Sequence, residues 1–193
     1  MTCNISIILP AKNEAESLEK LLPELRQNFP EEEIIVVNDG STDNTVEICE
    51  RNQIRVVSHV YSMGNGAAIK TGTRNAQCNI LVFMDADGQH SPGDINRLVE
   101  KIDSGFDMVV GARHIDSHAS LARRIANATY NKLASWMTGY PVEDLTSGFR
   151  AARARHFKKF LYLLPNKFSY PTTSTMAFFR SGLPVGYVPI KVM

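Results

Sequence analysis

Ile80-Leu81-Val82-Phe83-Met84-Asp85-Ala86-Asp87-Gly88-Gln89 sets five consecutive apolar residues directly before two carboxylates. An unbroken apolar run bounded in this way reads as a strand buried on both faces. Such strands belong to parallel sheets covered by helices, whose ligands sit in the crevice beyond the carboxyl ends of the strands. Carboxylates at i and i+2 share one face of a strand, and just past its end they can converge on one cation. Carboxylate oxygens suit Mg²⁺ or Mn²⁺, which also accept diphosphate oxygens as ligands. Asp85 and Asp87 are therefore candidate metal ligands, and the Gln89 amide oxygen is a further neutral one. An isolated Asp-X-Asp is equally the composition of a solvated turn; the apolar run before it argues for a site.

Outward from this stretch the chain repeats the same strand-then-helix pattern. Residues 5–9 form an apolar strand run stopped by Pro10. Leu18, Leu21, Leu22 and Leu25 recur at helical spacing over 15–27, with Pro23 as an interruption. Residues 33–37 and 54–60 read as strands, and Thr42 or Asp43 caps a helix between them that runs to about Arg51. Gly64-Asn65-Gly66 opens a small-residue helix through Ala76, Pro92 opens one to about Ile102, and 107–110 is a fifth strand. This alternation predicts an α/β fold, a single domain with a mostly parallel central sheet and helices on both faces. Beyond it come a helix over 121–137, a loop through Glu143 and Asp144, a helix over 173–180 and a short strand over 186–190.

Asn38-Asp39-Gly40-Ser41 and Gly111-Ala112-Arg113 also follow directly on strand runs and should share the crevice with Asp85. Asp39, in Asn38-Asp39-Gly40-Ser41, is placed to accept a hydrogen bond from a nucleobase N–H. The same tetrapeptide also suits an Asx turn capping the next helix. Gly64-Asn65-Gly66 either offers backbone N–H groups to an anion or is a helix start that needs small residues; it matches no full phosphate-loop fingerprint. Arg113 ends the fifth strand, where a cation would hold phosphate. Arg123 and Arg124 are placed to do the same or to form a solvated helix face.

The 193 residues hold one substantial core. A hydrophobic fraction of 44% with 21% charged residues is that of a soluble globular chain, and a net charge of +1 gives no footprint of a nucleic-acid binder. Cys3, Cys49 and Cys78 lack metal-type spacing and are expected as reduced, mostly buried thiols. No apolar stretch reaches the ~20 residues needed to cross a bilayer, and no secretory signal is evident. The expected location is cytoplasmic, or the cytoplasmic face of a membrane. Phe157, Phe160, Leu161, Tyr162 and Leu164 with Lys158 and Lys159 suit either an interfacial helix or one packed on the core.

Taken in order, these segments resemble the family 2 inverting glycosyltransferases with the GT-A fold, and among them the dolichyl- and polyprenyl-phosphate sugar synthases. The resemblance rests on Leu9-Pro10-Ala11-Lys12-Asn13-Glu14, Asn38-Asp39-Gly40-Ser41-Thr42-Asp43, Gly64-Asn65-Gly66-Ala67-Ala68 and Asp85-Ala86-Asp87-Gly88-Gln89-His90-Ser91-Pro92. It rests also on Val109-Val110-Gly111-Ala112-Arg113 and Asp144-Leu145-Thr146-Ser147-Gly148-Phe149-Arg150. It implies a nucleotide-sugar half over about 1–113 and an acceptor half over about 114–193. Pro10, Lys12, Glu14, Asp39, Ala86, Asp87, Gln89 and Arg113 would bind a UDP- or GDP-sugar. Asp85, Asp87 and Gln89 would hold Mg²⁺ or Mn²⁺, while Arg123, Arg124 and Ser147 would meet the phosphate of a polyprenyl acceptor.

Asp144, Arg113 and Arg150 are the implied catalytic group. In relatives that glycosylate a hydroxyl, an aspartate at the position of Asp144 is a general base; a phosphate acceptor is already anionic and needs positioning instead. Transfer to a saccharide or other hydroxyl is thus the alternative reading. A nucleotide-sugar binder without turnover is a second, and a sugar-nucleotide pyrophosphorylase is disfavoured because no Gly-rich basic signature follows the first strand. Relatives carry acidic residues near 172–175, where this chain has Thr-Thr-Ser-Thr. They also continue past the position of Met193 through a basic, Gly-containing segment, so the resemblance implies a shortened C-terminal end.

Overall fold

The computed structural model describes residues 3–113 and 121–191, the side chains of 121–128 excepted. Its strands are β1 (Ile5–Ala11), β2 (Glu33–Asn38), β3 (Arg55–Ser58), β4 (Ile80–Phe83), β5 (Met108–Arg113), β6 (Arg150–Arg153) and β7 (Val185–Ile190). The helices are α1 (Ala15–Asn28), α2 (Thr45–Arg51), α3 (Asn65–Asn75), α4 (Gly93–Asp103), α5 (Leu121–Thr138), α6 (Ala154–Phe157) and α7 (Tyr170–Arg180), with a 3₁₀ turn over Lys158–Leu163. The strands form one sheet in the order β3-β2-β1-β4-β6-β5-β7. All neighbours are parallel except β6, which runs antiparallel to both β4 and β5.

Successive apolar residues in each central strand serve opposite faces. Ile7 and Leu9 of β1 join Leu18, Leu22, Ile95 and Leu98 from α1 and α4 on one side. Ile8, between them, joins Ala68, Phe157 and Phe178 from α3, α6 and α7 on the other. The predicted parallel sheet with helices on both faces is the observed architecture, and the unbroken Ile80–Phe83 strand is buried throughout. Residues 150–153 supply β6.

Two expectations are corrected. Pro10 does not stop β1, which continues to Ala11 beside β2. Ile8 offers its carbonyl to Met84 on the β4 side, so Pro10, two residues on, faces the same side. The β1–β4 ladder has already ended at Ile8 and Phe83, and the missing proline N–H costs no ladder bond there. Nor are all the cysteines reduced. Ile5 stands opposite Ile80, and the same offset of 75 places Cys3 beside Cys78 in a disulfide with a Cα–Cα distance of 5.4 Å. Cys49 remains a buried thiol, with burial pushing its pKa up to about 11.

The segment at 154–164 is not an interfacial helix. Phe157, Leu161 and Leu164 turn into the core, and of the segment's large apolar side chains only Tyr162 and Leu163 are exposed. The exposed apolar row lies instead on α5 and the turn after it, where Tyr130, Leu133, Trp136, Met137 and Tyr140 face outward. No described helix is long and apolar enough to cross a membrane.

Candidate active site

A cavity of about 650 Å³ opens at the carboxyl ends of β1, β2 and β4. The end of β1 contributes Pro10 and the segment after it Lys12 and Glu14; the segment after β2 contributes Asp39, and that after β4 contributes Asp85, Ala86 and Asp87. Seven residues expected from the sequence thus share one wall. Gln89 and Arg113 are not part of that wall, whereas Ser62 to Asn65, Lys167 and Phe168 are additional to it.

Asp39 is buried, and both its oxygens are occupied. Oδ1 accepts from the His59 ring (2.7 Å) and the Met63 N–H (2.7 Å); Oδ2 accepts from the Ser62 hydroxyl and the Gly64 N–H, each at 2.8 Å. Burial pushes this carboxyl up, but the bonds from His59, Met63, Gly64 and Ser62 more than reverse it and hold the pKa at about 2. Asp39 therefore shapes the segment that carries Met63 and Gly64, and it has no free lone pair for a nucleobase in this arrangement. The Asx-turn role falls to its neighbour, since Asn38 Oδ1 accepts the Ser41 N–H at 2.9 Å.

Asp85 packs against the backbone of Gly148, where a Cβ would lie 2.9 Å from its Oδ2. Only glycine lets the loop before β6 approach so closely. Burial pushes the Asp85 carboxyl up and Asp87 adds to that, against the pull of His90, Asn65 and Arg113. Glu14 is raised too, first by burial and then by Asp87, Asp43 and Asp85. The wall carries four carboxylates (Glu14, Asp39, Asp85, Asp87) against the ammonium groups of Lys12 and Lys167. A nucleoside diphosphate meets repulsion there unless a cation accompanies it. The donors at the β4 end are hard oxygens, as Mg²⁺ or Mn²⁺ requires. No third histidine, cysteine or acidic ligand atom closes on Asp85 and Asp87 among the described residues. The set therefore fits a divalent ion that completes its shell from phosphate or water. Asp87 also holds the turn by accepting the Gln89 N–H at 3.0 Å.

The other half of the site lies past β5. Arg113 grips Asp144 through Nε (2.9 Å to Oδ2) and Nη2 (3.1 Å to Oδ1), and Nη2 also reaches Thr146. Asp144 further accepts the backbone N–H groups of Arg113, Thr146 and Ser147. Burial raises its carboxyl, and these partners, Arg113 foremost, bring it below the usual carboxylate range. Ser147 is buried and its hydroxyl has no hydrogen-bond partner among the described residues. Arg123 and Arg124 sit on α5, but their side chains lie outside the described residues.

Arg150 does not reach the surface at all. Its Nε and Nη2 donate to the Ser147 carbonyl, and Nη1 donates to the Pro171 carbonyl and the Ser174 and Thr175 hydroxyls. Its place in the implied catalytic group is not one of touching a ligand in this arrangement, because the guanidinium is fully buried. It instead ties the loop before β6 to α7, and hydroxyls at 174 and 175 stand where the resemblance placed carboxylates. The Gly64-Asn65-Gly66 start of α3 likewise serves packing, since Ala67 N–H donates to the Asn166 carbonyl. His90 gave no sequence signal of its own; it is buried and stacks on Phe149 with centroids 4.8 Å apart.

A sequence model described as glycosyl transferase family 2 matches residues 6–161. Polyprenol monophosphomannose synthase of Mycolicibacterium smegmatis is 28% identical over 95% of this chain and 75% of its own length. UDP-N-acetylglucosamine–dolichyl-phosphate N-acetylglucosaminyltransferase of Methanococcus voltae is 30% identical over 98% of this chain and 85% of its own. Among solved structures, glucosyl-3-phosphoglycerate synthase of Mycobacterium tuberculosis, in complex with Mn²⁺, UDP and glucosyl-3-phosphoglycerate, superposes with a TM-score of 0.75. It is 24% identical and is matched over 97% of this chain and 70% of its own.

Proposed function

The chain belongs to glycosyl transferase family 2, and from that premise we propose that it transfers a hexose from a UDP- or GDP-sugar to a polyprenyl phosphate, with inversion and with Mg²⁺ or Mn²⁺. The observation that carries the choice of acceptor is the state of Asp144. A general base must offer a free lone pair and a proton affinity near the working pH. Asp144 has neither, because Arg113 and three backbone N–H groups occupy it and keep it ionised. An acceptor whose oxygen is already anionic needs no base. The names of the relatives from M. smegmatis and M. voltae support the same class of acceptor.

On this reading the donor lies in the cavity between Lys12 and Asp87, its diphosphate toward Asp85. The divalent ion, held by Asp85 and Asp87 with Gln89, would supply Lewis-acid stabilisation of the departing nucleoside diphosphate. Asp144 orients Arg113, whose guanidinium meets the acceptor phosphate and aims it at the anomeric carbon. Arg150 positions the Ser147-Gly148 loop that separates the two halves. Ser147, Arg123 and Arg124 complete the acceptor side.

Calorimetric titration of UDP, GDP and their sugar conjugates, with and without Mn²⁺, on wild type and Asp87→Ala tests the donor site. Binding of one nucleotide that requires both the ion and Asp87 is expected. Binding that ignores both would overturn the assignment.

A further inference from the structure

One part of the cavity wall lies beyond the residues matched by the family. Lys167 and Phe168 line it, whereas the match ends at residue 161. They stand at the tip of a short irregular segment between the 3₁₀ turn and α7. That segment is clamped to α3. The Asn166 carbonyl accepts the Ala67 N–H at 3.0 Å, and the Lys70 ammonium donates to the Leu164 carbonyl at 3.0 Å and to the Asn166 side chain. Gly66 makes the clamp sterically available, because a Cβ there would lie 2.1 Å from the Pro165 carbonyl oxygen. The backbone is thus fixed while the two side chains at its tip are left outward: Phe168 is 80% exposed, and Lys167 makes no hydrogen bond or ion pair among the described residues.

A fixed backbone presenting an unpacked aromatic ring at the rim of a polar cavity is poor core building and good ligand building. The ring offers a flat face to a flat partner, and base-on-aromatic stacking tolerates any base. Asp39, the residue otherwise placed to read a base, is saturated by its own chain. Lys167 is one of only two cations in a wall with four carboxylates, so an incoming anion has few other places to go. We propose that the Lys167–Phe168 tip is a donor-binding element in which Phe168 stacks on the nucleobase and Lys167 pairs with the diphosphate. This rests on the nucleotide-sugar reading of the cavity.

The test is calorimetry of UDP and GDP with Mn²⁺ on wild type, Phe168→Ala, Phe168→Leu, Phe168→Tyr and Lys167→Met. Phe168→Ala and Phe168→Leu should each weaken binding about tenfold, and Phe168→Tyr should retain it, because the ring rather than its bulk is used. Lys167→Met should weaken binding and flatten its dependence on salt. Both positions are exposed, and unchanged melting temperatures will show that the fold is intact. If wild type binds neither nucleotide, the donor reading itself fails. If wild type binds and all four variants bind within about twofold of it, the donor reading stands and this inference is wrong.

Discussion

Asp39 and Asp144 are both buried carboxylates kept ionised by hydrogen bonds, with consequences that differ between them. Asp39 is ionised because four donors surround it, and its folded pKa of about 2 lies below its ordinary value of 3.8. The sign follows: its contribution to stability is complete above the ordinary value and is lost as pH falls from there through about 2. The shift corresponds to roughly 2 kcal/mol. Urea unfolding at stepped pH should show this loss in wild type, whereas Asp39→Asn should be less stable at neutral pH and lack that part of the acid dependence. An equal acid dependence in the variant would mean that the four bonds contribute nothing. Asp144 is held ionised in the same manner, and here the consequence is kinetic. Asp144→Asn should lower turnover on a polyprenyl phosphate by about tenfold or less, through a less firmly held Arg113. A loss of ~10²–10⁴-fold would instead mark Asp144 as a base and favour a hydroxyl acceptor.

The elements that position these residues were unequally visible in the sequence. β1, β2, β4 and β5 announce themselves as apolar runs, and Asp39, Asp85 and Arg113 could be placed because each follows one directly. β6 is only four residues, Arg150–Arg153, two of them arginines, and its partners are fixed by tertiary pairing rather than composition. The Cys3–Cys78 bond was equally hidden, since it depends on the register between β1 and β4. That bond ties the amino-terminal ends of two strands whose other ends bear Lys12 and Asp85. Closing a loop of this length is worth about 4 kcal/mol at most in the chain-entropy picture. Reduction, or Cys78→Ser, should therefore lower the melting temperature by several degrees while leaving nucleotide affinity unchanged. An unaltered melting temperature would show that the bond carries no stability. If the acceptor is the proposed lipid, the outward row of Tyr130, Leu133, Trp136, Met137 and Tyr140 on α5 and the turn after it is the apolar surface expected to meet the membrane. Trp136→Ser should reduce co-sedimentation with phospholipid vesicles, and equal sedimentation would remove α5 from that role.

At the scale of the whole molecule, the stretches before and after residue 113, expected as donor and acceptor halves, share one sheet. The division near residue 113, legible as a change in sequence pattern, has no counterpart in the pairing, because β6 from the second half lies between β4 and β5 of the first. A fragment of residues 1–113 should accordingly fail to fold. Its amide proton spectrum should be poorly dispersed, and a dispersed, cooperative one would show that the halves are independent. The inserted strand also bears on how the chain is made. As it leaves the ribosome, β1, β2 and β3 can pair with one another at once. β4 can add to β1 as it emerges but keeps its other edge open, and β5 has no earlier strand to pair with, until Arg153 has emerged, since β4 and β5 do not pair with each other. The strands that carry Asp85 and Arg113 are therefore joined late in synthesis. Until then, a nascent chain holds the β1, β2 and β4 residues of the proposed donor pocket without the residues of the proposed acceptor side.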